Sequence, residues 1–303
     1  MINMESLLFT GASGFLGHNI INQLKKDYIV TTLGHLPIDD LTVNLAKEIP
    51  SLPQHFDIVL HAAGKAHVIP KTPEEEKLFY DINFEGTKNL CSALENTGVP
   101  KSFIFISSVA VYGCETGKLI TEDHPRDGIT PYAKSKILAE AFLTDWCKRY
   151  NVILTILRPS LLAGFNPPGN LGDMIKGIKK GFYVNIGGGR VRKSILMADD
   201  IVNVLQLAKN KGGIYNVCDT DQPTLGQLSA FIAKQLGKRT PISIPYWIAK
   251  CLAVCGDCLG EKAPINSQRL SKLTNSLTFS NTKATTELGW QPLKVLENLK
   301  IKG

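Results

Sequence analysis

The chain lacks any uninterrupted apolar run of about 18 residues, the length a bilayer-spanning helix needs. It also lacks a dense lysine or arginine tract and any recognisable nucleic-acid module. Its net charge of +7 therefore points to small phosphorylated ligands and not to nucleic acid. A membrane partner is likewise not expected. Met1–Glu5 has neither the basic start nor the cleavage site of a signal peptide and leads into a strand-like run, so a cytoplasmic protein is expected. Seven cysteines in an apparently unexported chain read as reduced thiols. Metal-ligand spacing is missing too. Cys251, Cys255 and Cys258 share one helical face with no fourth ligand nearby, which predicts a buried apolar stripe and no metal site.

What is present is ordinary for a globular protein: 44% apolar and 20% charged over 303 residues, enough for one large domain or two modest ones. Ser6–Thr10 reads as a buried strand and Phe15–Lys26 as the helix after it. Tyr28–Leu33, Asp57–His61, Ser102–Ser107 and Val152–Leu157 are further apolar runs, separated by helical stretches near Glu74–Glu95 and Pro131–Arg149. This alternation predicts an α/β fold, a Rossmann-type doubly wound parallel sheet covered by helices on both faces.

Beyond Gly164 the texture changes. Phe165–Gly172 is a loop, Met174–Lys180 is helical, Ile195–Leu207 returns to strand then helix, and Ile214–Val217 is a last sheet strand. Thr224–Leu236 has a helical period, and Thr282–Leu288 is a short final helix. Pro245–Leu259 is apolar on most sides and is expected to pack between domains, because it lacks the basic polar face of a membrane-surface helix. The expected division gives residues 1–164 and 193–222 to a dinucleotide-binding domain. Residues 165–192 and 223–303 then form a smaller discontinuous C-terminal substrate domain, with a ligand cleft between the two.

The first strand runs into Gly11-Ala12-Ser13-Gly14-Phe15-Leu16-Gly17. Glycines at this spacing let the backbone turn sharply, approach a pyrophosphate and pack the helix on the sheet, while the helix N-terminus offers N–H donors. Ser13, Phe15 and Leu16 share that loop. It is not a P-loop, because His18 follows Gly17 where Lys-Ser/Thr is needed. A carboxylate ending the second strand would grip the adenine ribose, but Gly34-His35 stand there, with Asp39 and Asp40 farther on. NAD and NADP both remain open, the missing acid favouring NADP.

Thr130-Pro131-Tyr132-Ala133-Lys134-Ser135-Lys136 carries a second signal. Thr130 can cap a helix and Pro131 suits its first turn. Tyr132 lies at the end favouring negative charge, and Lys136 follows at i+4, where its ammonium is expected to lower the phenol's pKa from about 10. Such a tyrosine is a general acid/base.

With these residues assembled, the chain resembles the extended short-chain dehydrogenase/reductase family, in its nucleotide-sugar epimerase/dehydratase branch. Gly11-x-x-Gly14-x-x-Gly17, His61-Ala62-Ala63-Gly64, Asp81-Ile82-Asn83, Ser107-Ser108-Val109-Ala110-Val111-Tyr112-Gly113 and Tyr132-x-x-x-Lys136 occur in family order. The resemblance implies that Ser108 hydrogen-bonds the reacting sugar oxygen, Tyr132 exchanges its proton and Lys136 binds the nicotinamide ribose. It implies that Ala62, Ala63 and Gly64 line the cofactor, and that Asn83 orders the sheet and the active-site edge. His61 is expected to be a packing residue. Dehydratases of the family carry Asp-Glu after the active-site Ser/Thr; Val109 and Ala110 can do neither job, which excludes dehydration.

The second half, through Leu157-Arg158-Pro159, Arg192-Lys193-Ser194 and Leu288-Gly289-Trp290-Gln291-Pro292, resembles a bacterial polysaccharide-biosynthesis subgroup acting on UDP-linked sugars. That resemblance puts Asn170 and Leu171 near the nucleotide, faces Arg192 or Lys193 to the diphosphate, and implies a homodimer. The readings are an NAD(P)-dependent epimerase, a 4-ketosugar reductase using the same residues, and a non-catalytic NAD(P) sensor that retention of Ser108, Tyr132 and Lys136 argues against.

Overall fold

A computed structural model of the chain describes residues 4–66, 68–259 and 266–301. The first part runs β1 (Ser6–Thr10), α1 (Phe15–Asp27), β2 (Ile29–Gly34), β3 (Leu41–Thr42), β4 (Ile58–His61), α2 (Pro73–Tyr80), α3 (Gly86–Thr97), β5 (Ser102–Ile106) and β6 (Gly117–Ile120). It continues through α4 (Pro131–Tyr150), β7 (Ile153–Pro159), β8 (Leu161–Ala163), α5 (Gly169–Lys180), β9 (Asn185–Ile186), β10 (Ile195–Met197), α6 (Asp200–Ala208) and β11 (Gly213–Val217). The last part is α7 (Leu225–Gln235), β12 (Ser243–Ile244), α8 (Tyr246–Leu259), α9 (Ser267–Thr274), β13 (Leu277–Phe279), α10 (Thr282–Leu288) and α11 (Val295–Asn298).

Seven strands form one sheet in the order β11-β7-β5-β4-β1-β2-β3, every pairing parallel. Side chains alternate across it with period two. Leu7, Phe9, Ile58, Leu60 and Ile104 face a core shared with Leu16, Ile20 and Leu24 of α1 and Ile201 and Leu205 of α6. Leu8, Val59, Phe103 and Phe105 face the opposite core, with Leu90 and Leu94 of α3 and Leu143 and Trp146 of α4. A doubly wound Rossmann sheet is therefore the fold, as the alternation of strands and helices predicts. Strand order reverses at β1 and β4, and the carboxyl ends there open a crevice for ligand.

The other strands are paired outside this sheet: β8 with β10, β9 with β12, and β6 with β13. Met174 and Ile178 of α5 pack with Leu228 and Ile232 of α7 in a separate core. Ala284 and Leu288 of α10, with Trp290, instead join the core beneath the sheet. Asp200 fastens that tail by accepting from the Trp290 indole and the Leu293 amide.

Three expectations are corrected. Cys251 and Cys255 are exposed, and the buried face of α8 is Ala249 and Ala253, packed near Leu270 and Ile186. Periodicity defined a face of the helix, but the small alanines fit under α9 and the cysteines point away. The Cys258 side chain lies outside the described residues. For the same reason α8 is not packed between domains, with Trp247 67% and Val254 55% exposed. The stretch expected as helical over Glu74–Glu95 is interrupted by a π-helical turn, Asp81–Glu85, which separates α2 from α3 and carries the buried Asn83.

Candidate active site

The crevice begins at Gly11, whose φ of +82° suits glycine; a Cβ there would lie 2.6 Å from the Ala63 amide nitrogen. A Cβ on Gly17 would collide with the Ala12 carbonyl, so α1 meets the loop closely. Gly14 precedes α1 without any side-chain cap, and no acid stands in its first turn. The free amides at Phe15, Leu16 and Gly17 thus make an anion site, with Ser13 in the loop ahead of them. Opposite this loop, β4 ends in His61-Ala62-Ala63-Gly64, and the Thr10 hydroxyl accepts from the Ala63 amide at 3.2 Å.

His61 is buried, its ring nitrogens 2.6 Å from the Thr10 hydroxyl and 2.9 Å from that of Thr87. Burial, aided by the Lys136 charge, pushes its pKa down to about 3. It is a neutral packing residue. Asn83 is fully buried, accepts from the Lys65 amide at 2.7 Å and donates to Ser135 Oγ at 2.9 Å. Its amide ties the strand-end loop to α4.

At the end of β2 the structure supplies what the local sequence does not. The chain folds back after Gly34, and a Cβ on Gly34 would collide with Asp39 Oδ2. A carboxylate therefore occupies the position a side chain at residue 34 would take. Asp39 is 6% exposed, and its carboxylate accepts from the Leu36 amide only at a long 3.4 Å. Asp40, by contrast, accepts from the amide and hydroxyl of Thr32 at 2.8 and 2.9 Å. Only Asp39 is left for the ribose edge. The glycine cradle, the uncapped helix and this carboxylate all fit a dinucleotide.

Ser108, Tyr132 and Lys136 are brought together next to this crevice. Ser108 follows β5 and accepts from the Ala110 amide at 3.1 Å. Thr130 caps α4 by accepting from the Ala133 amide, and Pro131 fills the first turn, as predicted. The half-buried Tyr132 ring lies edge-on to Phe79, with centroids 6.4 Å apart. The Ser108 hydroxyl lowers the pKa of the Tyr132 phenol, but burial is the larger effect and raises it above the ordinary value of 10. The expected lowering by Lys136 is corrected: the ammonium donates to the Ile106 carbonyl at 2.9 Å and lies over the Phe105 ring. Burial pushes the pKa of Lys136 down to about 8, against the pull of Glu140.

Beneath this triad is a network that the sequence motifs did not reveal. Buried Glu140 accepts from Ser107 Oγ at 2.5 Å, Arg158 Nε at 3.0 Å and Arg158 Nη2 at 2.7 Å. Arg158 also donates to the Tyr112 hydroxyl at 2.9 Å. Ser107 and Glu140 thus tie the strand carrying Ser108 to the helix carrying Tyr132 and Lys136. Ser107, Tyr112 and Arg158 stand in the sequence motifs, but Glu140, one turn beyond the motif lysine, does not.

Of the other residues expected to meet substrate, Asn170 and Leu171 lie on α5, and Arg192 and Lys193 lie between β9 and β10. Asn170 is exposed in the first turn of α5, which has no acid and no side-chain cap. The Leu171 side chain is buried in the core of α5 and α7, so its backbone amide is the part left to face a ligand. Asn19 of α1 accepts from the Phe165 amide at 2.6 Å, holding the loop before α5 against the cofactor helix. Exposed Arg192 donates to the Gln222 carbonyl at 2.8 Å, and Lys193 bridges to Leu277. Among the described residues no cluster of His, Cys, Asp or Glu could hold a metal ion. No helix there is long and apolar enough to cross a membrane.

The family model for the NAD dependent epimerase/dehydratase family matches residues 7–218, more than half of the chain. The chain belongs to that family. Its cofactor is therefore a nicotinamide dinucleotide, which the residues of the cradle described above fit. The chain is 31% identical to an N-acetyl-alpha-D-glucosaminyl-diphospho-ditrans,octacis-undecaprenol 4-epimerase of Escherichia coli O157:H7, with 92% of this chain and 88% of that protein covered. It is 30% identical to a UDP-glucose 4-epimerase of Vibrio cholerae, over 97% and 92% of the two chains. Its fold matches the UDP-glucose 4-epimerase of Thermotoga maritima crystallised with UDP-glucose, at a TM-score of 0.74 and 21% identity, over 97% and 96% of the chains.

Proposed function

We propose that this enzyme of the NAD dependent epimerase/dehydratase family inverts C4 of a sugar carried on a diphosphate. The observation that carries this reading is the convergence of Ser108, Tyr132 and Lys136 beside the dinucleotide cradle, with Val109 and Ala110 where a dehydratase needs acids. Two relatives that are 4-epimerases, one of an undecaprenol-linked and one of a UDP-linked sugar, support it. The chemistry they share is a sugar diphosphate.

In this reading a bound nicotinamide, held by the glycine loop and Lys136, would supply reversible hydride transfer at C4. Tyr132 takes the 4-hydroxyl proton and later gives it back, with Ser108 hydrogen-bonded to the same oxygen. Lys136 binds the nicotinamide ribose. Because burial holds the free phenol protonated at neutral pH, its ionisation needs positive charge beyond that of Lys136. Arg192 or Lys193, with the open amides at Asn170 and Leu171, bind the diphosphate. Ala62, Ala63 and Gly64 line the cofactor, and Asn83 holds their loop. Residues 1–164 and 193–222 serve as the cofactor domain, and 165–192 with 223–303 as the substrate domain.

Asp39 directs the choice of cofactor. A carboxylate at the ribose edge accepts from the hydroxyls of NAD and repels the 2′-phosphate of NADP. Cofactor preference in turn favours an epimerase, which recycles its cofactor. One observation favours the alternative 4-ketosugar reductase: the protonated phenol of the free protein is the acid that reduction requires. Purified enzyme given a UDP-sugar with NAD, its product analysed by NMR, decides. Inversion at C4 supports the proposal, and reduction of a 4-ketosugar with consumption of NAD(P)H supports the alternative.

A further inference from the structure

We propose that the outer face of α8 docks on the anionic surface of a lipid bilayer, holding the substrate lobe against the membrane. This goes beyond the proposed reaction, since docking requires neither cofactor nor turnover.

Helix α8 is apolar on nearly every side, and such helices are ordinarily buried. Among its described residues Ala249, Ala253 and Gly256 are buried, the two alanines against Ile186, Ile244 and Leu270. On the opposite stripe Trp247 is 67% exposed and Val254 55%, with Cys251 and Cys255 exposed beside them. The patch continues past the helix. Strand β12 pairs with β9, and the Asn185 amide donates to the Ile242 carbonyl at 2.8 Å, which sets Ile242 near Phe182 at the same edge. Ile242 is 71% and Phe182 67% exposed. Exposed apolar side chains gathered on neighbouring elements mark a contact site.

The charge around it identifies the occupant. Residues 169–198 carry six lysines and arginines against one acid, Asp173, and residues 222–259 carry four against one, Asp257. These segments thus hold a net charge of +8, and since the whole chain is +7, the rest is −1. Even with Arg192 and Lys193 given to the diphosphate, eight bases remain, including exposed Lys179 and Lys180 ahead of Phe182, Lys238 and Arg239 ahead of Ile242, and Lys250 on α8. A second copy seated on this face would oppose like charges. An anionic lipid surface complements both the bases and the apolar stripe, and Trp247 and Tyr246 suit its interface. Helix α8 is 14 residues long, so it lies on the bilayer and does not span it. In the sequence the helix lacks the basic polar face this role requires, Lys250 being its one base; α5 and the turn before β12 carry others.

Trp247 is a built-in probe, because Trp146 and Trp290 are only 3% and 2% exposed. Tryptophan emission and flotation are measured with phosphatidylcholine vesicles, with and without phosphatidylglycerol, in the absence of any sugar or cofactor. The expected result is flotation and a blue shift with the anionic vesicles only, both reversed by salt. Trp247→Ser with Val254→Ser should lower the bound fraction about tenfold, and Lys179→Gln with Lys180→Gln should lower it several-fold, with turnover of a soluble nucleotide sugar unchanged in both. No flotation with anionic vesicles overturns the proposal, as does flotation indifferent to the Trp247/Val254 pair. A concentration-dependent dimer that blue-shifts Trp247 without lipid also overturns it and gives the face to a second copy. Turnover is read separately, so failure of docking leaves the reaction standing, and failure of the reaction leaves docking standing.

Discussion

The ammonium of Lys136, one turn beyond Tyr132 on α4, is bonded to the Ile106 carbonyl at 2.9 Å, while the side chain that lowers the pKa of the Tyr132 phenol is Ser108. The i+4 spacing brings the lysine onto the tyrosine's face without aiming its charge at the phenol. Proton chemistry at Tyr132 therefore depends on what binds in the crevice.

Tyr132→Phe should lower turnover by two to four orders of magnitude, about the worth of a positioned acid/base, while leaving NAD affinity nearly unchanged. Steady-state kinetics and calorimetry on one preparation check both halves. Turnover within a factor of about ten of the wild type would remove Tyr132 from the chemistry.

Because burial pushes Lys136 down to about 8, its charge is lost as pH rises through that value. NAD affinity and turnover should fall together above pH 8, and Lys136→Arg should move that limb to higher pH. The sign for stability is opposite. A lysine whose folded pKa is depressed from 10.5 costs stability below pH 8, and the cost is relieved as pH rises toward 10.5. Urea midpoints across that window measure it.

Asp39→Asn should weaken NAD binding about 10- to 100-fold, the worth of a charge-assisted hydrogen-bond pair, and narrow the preference over NADP. Titration with both dinucleotides gives the ratio directly. Tighter binding of NADP by the wild type would contradict the assignment of Asp39.

The network under the active site should behave as a unit. Glu140→Ala leaves the Arg158 guanidinium buried without its carboxylate and should cost about 3–5 kcal/mol. Replacing both residues by apolar ones of similar size should cost much less. Denaturant midpoints of the two variants distinguish the network from a simple packing defect.

Much of this protein was legible in its sequence because the informative patterns are local. The glycine loop, the strand-helix alternation and the capped start of α4 each fit within a few residues, and the structure has them where they were expected. What escaped depends on distant neighbours. Asp39 reads as a loop residue until the turn after Gly34 returns its carboxylate to the strand end. Glu140 looks like any helical glutamate until Arg158 arrives from β7. The cysteines of α8 and the Ala249–Ala253 pair are equally apolar, and only α9 decides which of them is covered. Strands β3, β6 and β13 span two to four residues, too short for alternation to announce them.

The central claim is that hydride leaves C4 and returns to it on the same cofactor molecule. The most direct test is to supply far less NAD than UDP-sugar and follow the 4-epimer by NMR and reduced nicotinamide by its near-ultraviolet absorbance. The account predicts many inversions per cofactor with no accumulation of reduced nicotinamide. Product limited to the amount of cofactor added, with reduced nicotinamide formed in step, would contradict it.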